Sequence, residues 1–321
     1  MRTLILGFNG FIGRSIGHFA QASGHTVYGM SRSPQSSSAT EVIYIAGDRA
    51  DANQVKRLVQ KHQIDAVVDV IPMVSANTQP LLNSLDQEVG QFVMISSADV
   101  YANYELLHRR GSGLAKKHAV DESSALRTTL YPYRGQTLRA SADPDKYLDD
   151  YDKIPIEASV RELSSPWTIL RLPMVYGPGD KLRRFRWAIA PMLAGEDKLT
   201  TPAGWANWQS TYGFIDNVGA TVAATLGNDK AFNQVFNVAE EKQCSHFEWA
   251  NRFASVIGWN GRVELTDDPD HSFLERIAGL NLDVPLKIDG SKLRRDLGYT
   301  DAVSEETALE RTVESEMRAN R

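Results

Sequence analysis

The residues best suited to chemistry lie near the start, where Leu6-Gly7-Phe8-Asn9-Gly10-Phe11-Ile12-Gly13-Arg14 sets three glycines at G-x-x-G-x-x-G spacing. Glycine permits a tight turn and lets backbone approach a pyrophosphate, which the N-terminus of a following helix then stabilises. The spacing departs from G-x-G-x-x-G, and the glycines alone would equally make a tight strand-to-helix turn. Further on, Met30-Ser31-Arg32-Ser33 holds no acid where a carboxylate would bind the ribose of NAD. Arg32 can pair with a 2′-phosphate instead, and Arg14 can reach the same group from the helix start, which favours NADP over NAD. Gly47-Asp48-Arg49 places a carboxylate where an adenine amino group would lie, and Asp48 would otherwise cap a helix.

The elements that must position these residues follow an alternating pattern. Thr3–Leu6, Thr26–Met30, Glu41–Ala46, Ala66–Ile71 and Gln91–Ile95 read as strands, the last two as the continuous apolar runs of strands covered on both faces. Phe11–Ala22 and Ala52–Lys61 have helical spacing between them. Repeated strand–helix–strand units predict an α/β fold with a doubly wound, Rossmann-type parallel sheet. Beyond Pro178 the expected helices are Arg183–Leu193, Asn217–Leu226, His246–Val256 (Ser245 and Glu248 forming a capping box) and Glu305 to about Ala319. Short strands are expected at Thr211–Ile215, Val235–Val238 and Val263–Leu265. The serine-rich stretch Ser31–Ser38 reads as a loop.

Composition sets outer bounds. A chain of 321 residues allows about two domains, and 42% hydrophobic with 23% charged residues is ordinary for a globular protein. The net charge of −5 disfavours a nucleic-acid partner, which needs a concentrated positive surface. Cys244 is the single cysteine, so no intramolecular disulfide or multi-cysteine metal site can form, and no metal-ligand spacing occurs among the seven histidines. No stretch reaches the ~18 apolar residues of a membrane span. The first residues already read as a core strand, so no signal or transit peptide is expected and the location expected is cytoplasmic, with no membrane partner.

Several motifs, taken in order, resemble the extended short-chain dehydrogenase/reductase superfamily, in its NAD(P)-dependent epimerase/dehydratase group. They are the Gly7–Gly13 loop, Gly47-Asp48, Ser96-Ser97-Ala98-Asp99-Val100-Tyr101, and Leu170-Arg171-Leu172-Pro173-Met174-Val175-Tyr176-Gly177-Pro178-Gly179. Phe214-Ile215-Asp216-Asn217-Val218, Phe236-Asn237-Val238 and the run Asp289–Tyr299 complete the set. The resemblance implies cofactor contacts from Gly7, Asn9, Gly10, Phe11, Ile12, Gly13, Arg14, Ser31, Arg32, Asp48, Arg49, Val70, Ile71, Pro72, Lys153 and Pro173. It implies hydride transfer at a nicotinamide, aided by a Ser, a Tyr and a Lys, the ammonium lowering the tyrosine pKa and holding the nicotinamide ribose.

By that resemblance Ser97 matches the serine, and Lys153 with Glu157 keeps the K-x-x-x-E offset. The tyrosine of a Y-x-x-x-K pattern would stand at Asp149, whereas this chain has Tyr151, giving Y-x-K. Residues two apart on a helix point about 200° apart. Tyr151 and Lys153 can therefore cooperate only if the helix starts after Tyr151, and Pro155 favours that start. Tyr147 and Tyr101 are reserve proton donors. Asp99 can act as a base, since relatives that eliminate water carry acids after the Ser or Thr; its other reading is a local cap.

Between Tyr101 and Tyr151 lie 49 residues, about twice what the resemblance implies. An insertion there, at about 102–150, reads as a lid or substrate loop, or as a solvated excursion. Arg183, Arg184 and Arg186 follow Gly177-Pro178-Gly179, where related enzymes hold substrate phosphates; they suit a nucleotide diphosphate or a solvated helix face. Trp205, Trp208 and Tyr212 read as a stacking surface or as core.

The expectation is therefore a cofactor-binding domain at 1–176, with an insertion about 102–150 and returns about 211–240, and a smaller C-terminal α/β substrate domain at 177–321. The function expected is NAD(P)-dependent oxidoreductase or epimerase action on a small-molecule substrate, a sugar or nucleotide-sugar. The rival is a non-catalytic dinucleotide-binding regulatory or RNA-associated protein of the same fold. The resemblance also implies a homodimer paired through sheet-flanking helices.

Overall fold

The computed structural model describes residues 1–33, 41–268 and 271–319; the serine-rich loop beyond Ser33 lies outside them. The first half alternates β1 (Arg2–Leu6), α1 (Phe11–Ala22), β2 (Thr26–Ser31), β3 (Ile43–Ala46), α2 (Ala52–His62), β4 (Ala66–Asp69), α3 (Ser75–Leu85) and β5 (Gln91–Ser97). A short helix α4 (Ala102–Leu107) and a long irregular stretch lead to α5 (Lys153–Arg161) and β6 (Trp167–Leu172). Then come β7 (Met174–Tyr176), α6 (Arg186–Leu193), β8 (Lys198–Pro202), α7 (Ala203–Asn207), β9 (Tyr212–Phe214), α8 (Ile215–Thr225) and β10 (Gln234–Asn237). The chain closes with α9 (His246–Ile257), β11 (Arg262–Thr266), α10 (His271–Ile277), α11 (Ser291–Leu297) and α12 (Glu305–Ala319).

Seven strands form one parallel sheet in the order β10-β6-β5-β4-β1-β2-β3. Leu4, Ile5 and Leu6 of β1 are fully buried, as are Ala66, Val67 and Val68 of β4, because helices cover both faces. The strand order reverses at β1, between β2 and β4, and the loops leaving their C-terminal ends diverge there into a crevice.

Burial along α1 explains its seat: Ile16 and Ala20 face the sheet, and α8 packs along the same helix. The capping box at Ser245 and Glu248 forms as expected. Helix α3, absent from the expected elements, carries Pro80 inside, a residue poorly tolerated in a helix interior. Helix α6 starts at Arg186 and not at Arg183, whose φ of +45° is left-handed and cannot belong to a first helical turn.

The C-terminal elements bury an aromatic cluster that includes Tyr176, Phe185, Tyr212, Trp249 and Phe253. Of the two late segments expected to return to the cofactor half, β10 joins the large sheet beside β6. β9, three residues long before α8 begins, pairs instead with β7 of the 1–176 half in a separate two-stranded sheet. Among the described residues no helix is long and apolar enough to cross a membrane, and no group of three or more His, Cys, Asp or Glu is placed to hold a metal ion.

Candidate functional site

The crevice at the ends of β1, β2, β3 and β4 is a cleft of about 500 Å³. Gly7, Asn9 and Gly10 line it from the first turn, Ser31 and Arg32 from β2, Asp48 and Arg49 from the turn after β3, and Ile71 from β4. Gly7 has a φ of +86°, which only glycine adopts without strain. At Gly13 a Cβ would sit 2.5 Å from the Gly7 carbonyl oxygen and 2.8 Å from Phe8 Cα, so this residue lets α1 press against the loop. Asn9 Oδ1 and Ser31 Oγ are buried without a hydrogen-bond partner, and both residues line the cleft. Orphaned acceptors and donors beside a glycine turn fit the pyrophosphate and ribose of a dinucleotide.

Other expected cofactor contacts lie around the edge of the cleft. Arg14 and Phe11 line an adjacent recess with Pro178, Gly179 and Asp216, which meets the cleft at Asn9 and Gly10. Arg14 and Arg32 therefore do not share a recess. Arg49 is buried and paired with Asp69, with Thr78 as a further acceptor. It braces the floor of the cleft, so its charge is already matched. Val70 is buried and Ile12 half-buried. Pro173 lines the neighbouring cavity described next.

That cavity, of about 530 Å³, opens at the ends of β5 and β6. Ser97, Asp99 and Tyr151 all line it. Ser97 Oγ accepts the Asp99 amide at 3.2 Å. The Tyr151 hydroxyl donates to Asp99 Oδ2 at 2.8 Å, while Asp99 Oδ1 has no partner. Burial drives the Asp99 carboxyl above its ordinary range, against the opposing pull of the Tyr151 hydroxyl, Arg127 and Lys153. Tyr151 is likewise raised well above 10, by burial first and then by the Asp99 charge.

Helix α5 begins at Lys153, with Asp152 as N-cap accepting the Ile154 amide, so Tyr151 stands outside the helix. This is the start that Y-x-K requires. The lysine itself departs from expectation. Lys153 Nζ is buried and donates to the Pro72 carbonyl at 2.9 Å and the Ile95 carbonyl at 3.1 Å. It lies 5.6 Å from the Tyr151 ring centre, and burial brings its own pKa down to about 8. Its place deep in the first turn of α5 directs the ammonium at the strand ends, and Pro72 enters the site as its acceptor.

Segment 102–150 walls both cavities. Tyr104, His108 and Tyr133 line the one beside Asp99, and Tyr147 the dinucleotide cleft. The segment is tied down at several points. Glu105 accepts the amides of Thr128 and Thr129, and Tyr101 bridges to Leu126. Arg127 grips both carboxylate oxygens of Asp152, each side chain fully buried. Sequence reasoning missed this pair; nothing in the spacing of residues 25 apart marks them as partners. Of the reserve tyrosines, Tyr101 is spent in a buried network, donating to Asn237 Oδ1 and accepting from Arg171.

The three arginines expected at substrate phosphates are matched by carboxylates. Arg183 pairs with Glu316 of α12 in a different recess, Arg186 lies 3.9 Å from the same carboxylate, and Arg184, which lines the cavity, pairs with Asp180 at 2.6 Å. The left-handed turn at Arg183 sends its side chain toward α12. Trp205, Trp208 and Tyr212 line the cavity wall while remaining part of the core.

Known proteins share this architecture. UDP-glucose 4-epimerase of Thermotoga maritima matches with a TM-score of 0.68 and 17% identity, each chain covered in full. UDP-glucuronic acid 4-epimerase of Bacillus cereus, solved with UDP-glucuronic acid and NAD, matches at 0.67 and 22% identity over 99% of this chain and 100% of that one. In sequence, the chain is 23% identical over 272 residues to chloroplast stem-loop binding protein of 41 kDa b from Arabidopsis thaliana, covering 80% of this chain and 64% of that protein's length. With a glycine turn at the β1–α1 junction and a family model matched over residues 3–239, the chain belongs to the NAD dependent epimerase/dehydratase family.

Proposed function

We propose that the protein is an NAD(P)-dependent oxidoreductase or epimerase acting on a hydroxyl- or carbonyl-bearing, sugar-type substrate. The observation that carries this reading is the meeting of Ser97, Asp99 and Tyr151 in one cavity, with Tyr151 bridged through its backbone to Val74, which lines the dinucleotide cleft. Gly7, Asn9, Gly10 and Ser31 would hold the dinucleotide, and Arg32, with no acid at the end of β2, favours a 2′-phosphate. When bound, the nicotinamide supplies a hydride acceptor or donor. The chain supplies the proton path: a substrate hydroxyl gives its proton to Tyr151 Oη as the tyrosine proton passes to Asp99 Oδ2. Asp99, raised above an ordinary carboxylate, is the terminal base of that pair, and Ser97 Oγ orients the substrate oxygen. Lys153 holds the ends of β4 and β5 together through the Pro72 and Ile95 carbonyls.

Incubation with NADP or NAD and a panel of sugars, read at the nicotinamide absorbance and by product stereochemistry, tests this reading. Hydride transfer that vanishes in Tyr151→Phe supports it; cofactor binding without turnover on any sugar overturns it. In that event the second reading stands, a dinucleotide-binding protein that performs no reaction, favoured by a Lys153 ammonium spent on backbone carbonyls. Its RNA-associated form has the name of the curated relative in its favour and the net charge of −5 against it.

A further inference from the structure

Charge and surface chemistry divide unevenly around the cavity beside Asp99. Among the described residues that line it, Arg184 is the only arginine or lysine, and Asp180 and the Val175 carbonyl already take it at 2.6 and 2.8 Å. His108 is pushed toward neutrality by burial and by the Arg110 charge. Asp99 sets a carboxyl group at the wall, its Oδ1 an acceptor without a partner. A diphosphate brought here would meet no unmatched cation and would lie against that carboxyl oxygen, which costs binding energy twice over.

The remaining wall is apolar and aromatic. Trp205 and Trp208 stack with ring centres 5.5 Å apart at 26°. Met174 and Leu286 line the same space, and Leu182, 72% exposed, lines it as well. Ser210 Oγ is buried with no hydrogen-bond partner, leaving a neutral polar group for a hydroxyl. Such a lining offers apolar contact to a flat ring and a hydrogen bond to an uncharged hydroxyl.

Resting on the oxidoreductase reading above, we propose that this cavity takes an uncharged, ring-bearing hydroxy compound of the aryl glycoside kind and discriminates against nucleoside diphosphate sugars. Tryptophan fluorescence of the full chain, saturated with NADP, is titrated with phenyl β-D-glucopyranoside and with UDP-glucose. The expected result is saturable quenching by the phenyl glucoside and none by UDP-glucose over the same concentrations. Trp205→Phe and Leu182→Asp should each weaken the phenyl glucoside several-fold. Leu182 is exposed, so its variant tests the assignment where the tryptophan variant fails to fold. Tighter binding of UDP-glucose, no binding of the phenyl glucoside, or an unchanged affinity in Leu182→Asp overturns the proposal. Nicotinamide absorbance separates the two claims. Turnover of UDP-glucose would sink the cavity assignment and leave the oxidoreductase reading standing. Phenyl glucoside binding with no turnover on any sugar would do the reverse.

Discussion

The hydroxyl of Tyr151 donates to Asp99 Oδ2 at 2.8 Å, and the ammonium of Lys153, two residues on, turns away to two backbone carbonyls. A tyrosine coupled to a carboxylate differs from one coupled to a cation. The cation lowers the tyrosine pKa and makes the phenolate a base; the carboxylate raises it and makes the hydroxyl a conduit.

Tyr151→Phe should cut turnover by about 10²-fold or more while dinucleotide affinity stays within error. Asp99 must be ionised to receive the proton, so kcat/KM should fall as pH drops through a pKa lying above the ordinary carboxylate range. The residual rate of Asp99→Asn should lack that acidic limb. A pH–rate profile of both variants decides it.

Arg127→Met should destabilise the fold by about 3–5 kcal/mol, since it strands the Asp152 carboxylate in a fully buried site. Adding Asp152→Asn to it should recover much of that loss. Denaturant unfolding of the single and double variants measures the difference, and equal instability of the two would contradict it.

Gly13→Ala should disturb the loop directly, because the new Cβ would meet backbone atoms of Gly7 and Phe8 that cannot yield locally. A cost of about 1–3 kcal/mol is expected, with weaker dinucleotide binding. Gly204→Ala, whose Cβ would make only ordinary contact with Leu282 at 3.4 Å, is the control in a calorimetric titration.

Arg32→Glu should weaken NADP by about tenfold or more and leave NAD little changed, the loss of one charge-assisted contact and its replacement by a like charge. Parallel titrations with the two cofactors read this; an equal loss for both would show that Arg32 does not select the 2′-phosphate.

Glu240 gives a pH signature away from chemistry. Half-buried and accepting the Phe214 amide, it has its pKa raised from 4.5 to about 7 by burial, with help from Asp301 and Glu305. The folded state holds this proton more tightly than the unfolded one. Its contribution to stability is therefore full below pH 4.5 and lost as pH rises through about 7. Glu240→Gln should flatten that decline in a series of unfolding curves from pH 4.5 to 7.5.

The sequence by itself determined the sheet and the cofactor turn. Apolar runs such as Ala66–Ile71 and the helical spacing of Phe11–Ala22 are local patterns, and each specifies its element without reference to distant residues. It also put forward Ser97 and Tyr151, and Pro155 already favoured a helix starting after the tyrosine, whose cap the structure supplies as Asp152. What only the tertiary structure decided is pairing. Arg127 with Asp152, Arg183 with Glu316, and Tyr151 with Asp99 join residues 25, 133 and 52 positions apart. Such partners are chosen by how β5, α5, α12 and the long segment before α5 pack. Motif spacing placed a cation beside the tyrosine; the depth of Lys153 in the first turn of α5 put a carboxylate there instead.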